Sequence, residues 1–213
     1  MGIFPVINCE DSESLKQTLD TVKTFLPEGS FLHMDIADSA FTFHKTWNNP
    51  EEWMALRVPY QFEVHLMVER PDLQIAPWIK AGARRFIVHV EEMNEEILAS
   101  IFAQCEPQGV GVVLSSNPET TVDQLSTYLK HFSMVQVLAV HPGLAGQPFL
   151  PIVLDKIAWL RRQWPHVIIE VDGGMNAETA RMVKNAGADF IVSSNYIFGD
   201  GDPKIAYGIL SQI

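Results

Sequence analysis

Two imidazoles and two carboxylates in this chain are spaced so that they could share one cation. His33 and Asp35, in His33-Met34-Asp35, are two positions apart in an apolar run, and alternation along a strand points both to one face. His65 stands in a second run, Glu63-Val64-His65-Leu66-Met67, and Asp172 closes a third just before Gly173-Gly174. A lone histidine on a strand is more often hydrogen-bonded in a core than a ligand. Four such groups gathered at the carboxyl ends of strands are costly to bury unless they are paired or coordinated. Their nitrogen and oxygen donors suit one divalent metal ion of the Zn²⁺, Mn²⁺, Fe²⁺ or Co²⁺ kind, with no thiolate to favour a softer one. His89 and His141 also end predicted strands, the fourth and the sixth, and without a carboxylate paired in the same strand they read equally as rim or supporting groups and as plain structural ones.

Glycine placement adds a second feature. His141-Pro142-Gly143-Leu144-Ala145-Gly146-Gln147, Asp172-Gly173-Gly174 and Ser193-Ser194-Asn195 follow the sixth, seventh and eighth predicted strands. Glycine lets backbone N–H groups approach an anion, and late loops of this kind bind phosphate in many barrels, although any βα protein needs tight turns.

The elements that must position these groups alternate in type. Strands are predicted at 3–7, 31–35, 62–68, 85–90, 110–114, 134–140, 167–171 and 190–192, several rich in Val, Ile and Phe. Helices are predicted at 12–25, 50–57, 72–81, 94–104, 121–132, 151–164, 177–186 and 202–210. Pro50-Glu51-Glu52, Pro71-Asp72 and Asn176-Ala177-Glu178 carry helix-start signals, and Gly82 and Gly187 follow helices where a left-handed cap is cheap. Eight βα units imply an α/β fold, a (β/α)₈ TIM barrel occupying residues 1–213 as a single domain. An open doubly wound sheet is the rival. It is disfavoured because no G-x-G-x-x-G or Walker-type loop follows the first strand, and because polar residues collect at strand ends from both halves of the chain.

Composition narrows the partners. With 15 Lys+Arg against 26 Asp+Glu the net charge is −11, which repels nucleic-acid phosphates and anionic lipid head groups. Hydrophobic residues at 47% and charged ones at 19% describe a folding chain, and no apolar run is long enough to span a membrane. The two cysteines, Cys9 and Cys105, form no disulfide framework or metal-ligand spacing, and the start of the chain lacks an export signal, so a cytoplasmic protein is expected.

At these residues the chain resembles the ribulose-phosphate 3-epimerase family. FLHMDIAD (31–38), FEVHLMVERP (62–71), VHPGLAGQPF (140–149), IEVDGGMNAETA (169–180) and AGADFIVSSNYIF (186–198) are similar, in the same order, to that family's motifs. The resemblance implies metal-dependent interconversion of D-ribulose 5-phosphate and D-xylulose 5-phosphate in the pentose phosphate pathway by a homo-oligomeric isomerase. It places metal ligands at His33, Asp35, His65 and Asp172. It also makes Asp35 and Asp172 the acid/base pair, one removing the C3 proton and the other returning one through a metal-stabilised enediolate. Substrate contacts are implied for His65, Met67, Gly143, Leu144, Ala145, Gly146, Gly173, Gly174, Ser194 and Asn195.

The departures from the family pattern cluster around the substrate. Val6 stands where the family has a serine, with Asn8 placed to take over part of that contact. Ala37 replaces a methionine, and the mouth segment Asp38-Ser39-Ala40-Phe41-Thr42-Phe43-His44 is remodelled. Ala145 replaces one glycine, and Ser194-Asn195 replaces a Gly-Ser pair. These changes leave two alternatives open: epimerisation of another ketose or ketose phosphate such as allulose 6-phosphate, and a non-catalytic barrel that binds a sugar phosphate or a partner protein. Trp47, Trp53, Trp78, Trp159 and Trp164 are assigned to helix–barrel contacts or an interface.

Overall fold

The computed structural model describes residues 1–213. Its strands are β1 (Gly2–Ile7), β2 (Phe31–Ala37), β3 (Gln61–Met67), β4 (Arg85–His89), β5 (Gly111–Ser116), β6 (Met134–Leu138), β7 (Ile168–Asp172) and β8 (Phe190–Ser193). All pair in parallel and in sequence order, and β8 returns to β1 to close a barrel. The helices that cover it are α1 (Ser12–Val22), α2 (Pro50–Leu56), α3 (Ile75–Lys80), α4 (Glu95–Cys105), α5 (Val122–Leu129), α6 (Val153–Gln163), α7 (Ala177–Ala186), α8 (Asn195–Phe198) and α9 (Pro203–Ser211). This is a (β/α)₈ TIM barrel, and none of its helices is long and apolar enough to cross a membrane.

Local chemistry explains the element ends. Asp11 caps α1 by accepting from the Ser14 N–H, and the buried Leu15, Leu19 and Val22 form the stripe that faces the sheet. Asn176 caps α7, accepting from the N–H groups of Glu178 and Thr179. Strand residues with the opposite parity, such as Leu32, Met34 and Ile36 of β2, join these helix stripes in the core between sheet and helices. Trp47, Trp53 and Trp78 are buried in that core, while Trp159 and Trp164 pack against its edge, so all five tryptophans make contacts within the chain.

Several boundaries differ from the sequence expectation. The helix expected over 72–81 is a 3₁₀ turn at Pro71–Leu73 followed by α3. A continuous helix would set the Pro77 ring against the Leu73 carbonyl, and restarting at Ile75 puts Pro77 in a first turn, which tolerates it. The short helix α8 occupies a stretch expected to be loop. β2 runs on to Ala37, so His33 and Asp35 lie within the strand rather than at its end. β6 stops at Leu138, which leaves His141 in the following loop with its side chain 60% exposed. β5 continues to Ser116, which brings Ser115 into the barrel wall.

Gly187 performs the role its position after α7 suggests. Its φ is +120°, and a Cβ there would lie 2.9 Å from the Arg161 Cβ, whose guanidinium donates to the Gly187 carbonyl. Gly187→Ala is expected to lower unfolding free energy by about 1–3 kcal/mol, measured by urea denaturation. An unchanged midpoint would mean that neither the backbone conformation nor the close approach matters.

Candidate active site

The strand register assembles the polar cluster. Asp35 is paired with His65 across β2 and β3, His33 with Glu63, and Leu138 with Asp172 across β6 and β7. Alternation then turns His33, Asp35, Glu63, His65, Glu170 and Asp172 towards the barrel axis. His33 and His65 are fully buried, and the Asp35 and Asp172 side chains are only 9% and 13% exposed.

His33 Nε2 lies 3.2 Å from Asp35 Oδ1 and 3.9 Å from Asp172 Oδ2. His65 Nδ1 lies 3.1 Å from Asp35 Oδ1 and 3.4 Å from Asp172 Oδ2. The two histidines thus present different nitrogens to the same pair of carboxylates, and all four donor atoms fall within 4.8 Å of one another. A tetrahedron with metal–ligand bonds of roughly 2.0–2.1 Å has edges of about 3.4 Å, so this N₂O₂ set fits one divalent cation. Asn8 donates from Nδ2 to Asp35 Oδ2 at 3.0 Å, which ties down the carboxylate's other oxygen. On the far side, the Thr46 hydroxyl donates to the Asp35 carbonyl and accepts from the Ala37 N–H, anchoring the mouth segment that begins at Asp38.

A second tier of polar groups lies deeper in the barrel. Glu63 Oε1 is 2.8 Å from His33 Nδ1, and its Oε2 accepts from Arg85 Nε at 2.9 Å and from Arg85 Nη2 at 2.5 Å. The Arg85 guanidinium sits over the Phe31 ring, 4.6 Å from its centroid. Glu170 accepts from Gln136 Nε2, Gln136 accepts from the Ser115 hydroxyl, and Glu170 Oε2 has no partner. Burial, with the Glu63 charge beside it, pushes Glu170 well above the ordinary carboxylate range. Burial opposes charge on His33 as well, but its hydrogen bonds to Asp35 and Glu63 and their negative charges outweigh that and raise it well above the ordinary imidazole range. Asp35 is lowered in the same way: burial works against its ionised form, and the bonds from His33 and His65 overcome it. Asp35, Asp172 and Glu63 surround His33 with Arg85 as the facing cation, and a divalent ion would offset that excess of carboxylates.

Above the cluster opens a cleft of about 280 Å³ at the carboxyl ends of the strands. Val6, Asn8, Asp35, Met67, Asp172, Gly173, Gly174, Ser194 and Asn195 line it, together with the loop running from His141 through Gly143, Leu144, Ala145 and Gly146 to Phe149. His65, implied as a substrate contact too, is fully buried and does not line the cleft, because both its nitrogens are engaged within the wall. Glu63, Glu170 and Arg85 were not singled out from sequence. The signal was present for the two glutamates, since each stands two residues before a candidate ligand on the same strand face. Both cysteines are buried, which raises the Cys9 thiol and pushes that of Cys105 up to about 12, against thiolate formation at either.

The sequence profile described as "Ribulose-phosphate 3 epimerase family" matches residues 3–198. The chain belongs to that family. Membership makes it an isomerase acting as a carbohydrate epimerase. Among relatives, the ribulose-phosphate 3-epimerase of Candida glabrata is 32% identical over 199 residues, covering 85% of this chain and 80% of that protein. The ribulose-phosphate 3-epimerase, cytoplasmic isoform, of Oryza sativa subsp. japonica is 34% identical over 180 residues, covering 81% and 77%. The crystal structure of a 3-hexulose-6-phosphate synthase superposes with a TM-score of 0.73 at 17% identity, covering 100% of this chain and 99% of that one, a likeness of fold alone.

The deep tier is testable through stability. Glu63 is fully buried, and Arg85→Met would leave its carboxylate with His33 as its remaining partner. A loss of about 3–5 kcal/mol is expected, read from chemical denaturation. A loss below about 1 kcal/mol, the ordinary scale for a surface pair, would show that the ion pair with Arg85 does not hold Glu63.

Proposed function

We propose that the chain is a metal-dependent 3-epimerase interconverting D-ribulose 5-phosphate and D-xylulose 5-phosphate. The observation that carries this reading is the convergence of Asp35 and Asp172 with two imidazole nitrogens within 4.8 Å, at the floor of a cleft, in a member of this family. His33, Asp35, His65 and Asp172 would hold the divalent ion, which when bound supplies a Lewis acid for negative charge developing on the substrate's oxygens.

The chain's own groups account for the rest. A carboxylate at Asp35 or Asp172 removes the proton from C3, and the electron pair moves onto the neighbouring carbonyl oxygen. The other residue delivers a proton to the opposite face of the same carbon, so one proton leaves, one returns, and the configuration inverts. Asn8 keeps Asp35 oriented, which leaves its Oδ1 towards the cluster. Val6 and Met67 give the floor an apolar border that limits water around the reacting carbon. The cleft lining contains no Lys or Arg. A phosphate there would be bound by neutral donors, the backbone of Gly146, Gly173 and Gly174 and the side chains of Ser194 and Asn195.

One observation favours a second reading of substrate identity. The Asn195 carboxamide occupies space against Gly146, where a Cβ would lie 3.6–3.8 Å from it, so the end of the cleft that would take the phosphate is partly filled by a side chain. A ketose or ketose phosphate of different length is the corresponding alternative.

Protein loaded separately with Zn²⁺, Mn²⁺, Fe²⁺ or Co²⁺ and given D-ribulose 5-phosphate in D₂O is expected to place deuterium at C3 and form xylulose 5-phosphate, followed by NMR. Asp35→Asn and Asp172→Asn are each expected to reduce that exchange by about 10²–10⁴-fold. No exchange with any of the four ions in folded protein would remove this substrate and turn the search to other ketoses.

A further inference from the structure

The cluster reaches its two histidines by different supports. His33 meets a carboxylate directly, whereas His65 meets a second imidazole. His65 Nε2 lies 2.8 Å from His89 Nε2, and His89 Nδ1 lies 3.1 Å from Glu91 Oε2. We propose that His89 and Glu91 are positioning residues for His65 in the metal-loaded protein, holding its proton on Nε2 so that the Nδ1 lone pair is free for the cation shared with Asp35 and Asp172. The inference rests on the metal-centre reading above and deepens it.

The argument is one of proton counting. Only one of the two nitrogens in the His65–His89 contact carries the hydrogen between them. An imidazole that gives Nδ1 to a cation keeps its remaining proton on Nε2, and that N–H needs an acceptor. His89 Nε2 accepts only when the ring's own proton is on Nδ1, and there Glu91 Oε2 receives it. The reverse arrangement, with the proton on His89 Nε2, turns the bare Nδ1 of a neutral His89 against a carboxylate and sends His65 Nδ1–H into the cluster. With a cation in place of the proton between His65 Nδ1 and Asp35, Glu91 selects one direction for the whole chain of hydrogen bonds.

The surroundings hold this relay in line. The His65 and His89 rings lie within 15° of parallel with centroids 5.0 Å apart, and the Phe41 ring packs against His89 at 4.7 Å. His89 is 1% exposed, so water does not replace Glu91 as its acceptor. Glu91 is itself fixed: its Oε1 accepts from the Asn117 N–H at 2.9 Å and from the Thr120 hydroxyl. The orientation of a buried ligand is therefore set from the loop that follows β5, and Phe41 of the remodelled mouth segment contributes by packing on the middle of the relay.

The test uses the full chain and Zn²⁺ itself as probe, with dissociation constants taken by competition against a chromophoric chelator. His89→Phe keeps the ring against Phe41 and removes the acceptor, Glu91→Ala removes the far end, and His89→Gln retains a carbonyl that can accept from His65 Nε2–H. His89→Phe and Glu91→Ala are expected to weaken Zn²⁺ binding about 10–100-fold, with His89→Gln recovering most of the loss. Long-range ¹H–¹⁵N spectra of the zinc-loaded wild type should place the His65 proton on Nε2 and the His89 proton on Nδ1, a readout that a purely structural role does not predict. Unchanged Zn²⁺ affinity in folded His89→Phe, or a His65 proton on Nδ1, overturns the proposal. Should His89→Phe fail to fold, Glu91→Ala and the wild-type spectrum decide by the same criteria. A wild type that does not bind Zn²⁺ overturns the metal-centre reading along with this one, whereas a wild type that binds while the variants match it overturns this one alone.

Discussion

The contact between His33 and the carboxylates on either side of it, Asp35 above and Glu63 below, constrains the rest of the barrel interior. A buried imidazole between two acids is stable only if the excess negative charge is answered, and the fold answers it in tiers. Arg85 enters from the amino-terminal side to meet Glu63, dry surroundings and the Glu63 charge disfavour ionisation of Glu170, and Asp35 and Asp172 gather with two imidazole nitrogens within 4.8 Å of one another. The polar column runs through a molecule whose outer core is apolar, and each layer defines what the next one must be.

This column explains why the mouth can change while the floor stays rigid. The four candidate ligands come from strands β2, β3 and β7, locked by the closed ladder, whereas Ala145, Ser194 and Asn195 lie beyond the strand ends in the cleft lining; Val6 stands within β1, level with His33. Substitution beyond the strand ends alters the shape and donors of the cleft without shifting a strand. Of the departures from the family pattern, Ala145, Ser194 and Asn195 fall there, while Val6 and Ala37 stand in the strands themselves.

Much of this was legible in the sequence, for identifiable reasons. Eight βα units could be read because the strands are Val- and Ile-rich and α7 carries both its cap, Asn176, and its stop, Gly187. His33 and Asp35 could be paired because period-two alternation is a strong rule. The same rule pointed to Glu63 below His65 and to Glu170 below Asp172, but a glutamate in a strand reads as solvent-facing until the barrel closes over it. Arg85 was hidden for a different reason: its pairing with Glu63 depends on the register of β3 against β4, which sequence does not give. The break before α3 was written in Pro77, and α8 was too short to have a periodic signature.

The central claim is that four side chains from three strands form a single cation site. A crystal of the zinc-loaded protein, with diffraction recorded on both sides of the zinc absorption edge, tests it most directly. The account predicts one anomalous peak about 2.0–2.2 Å from His33 Nε2, His65 Nδ1 and one oxygen each of Asp35 and Asp172. A peak elsewhere, or none at this cluster in fully loaded protein, would contradict it.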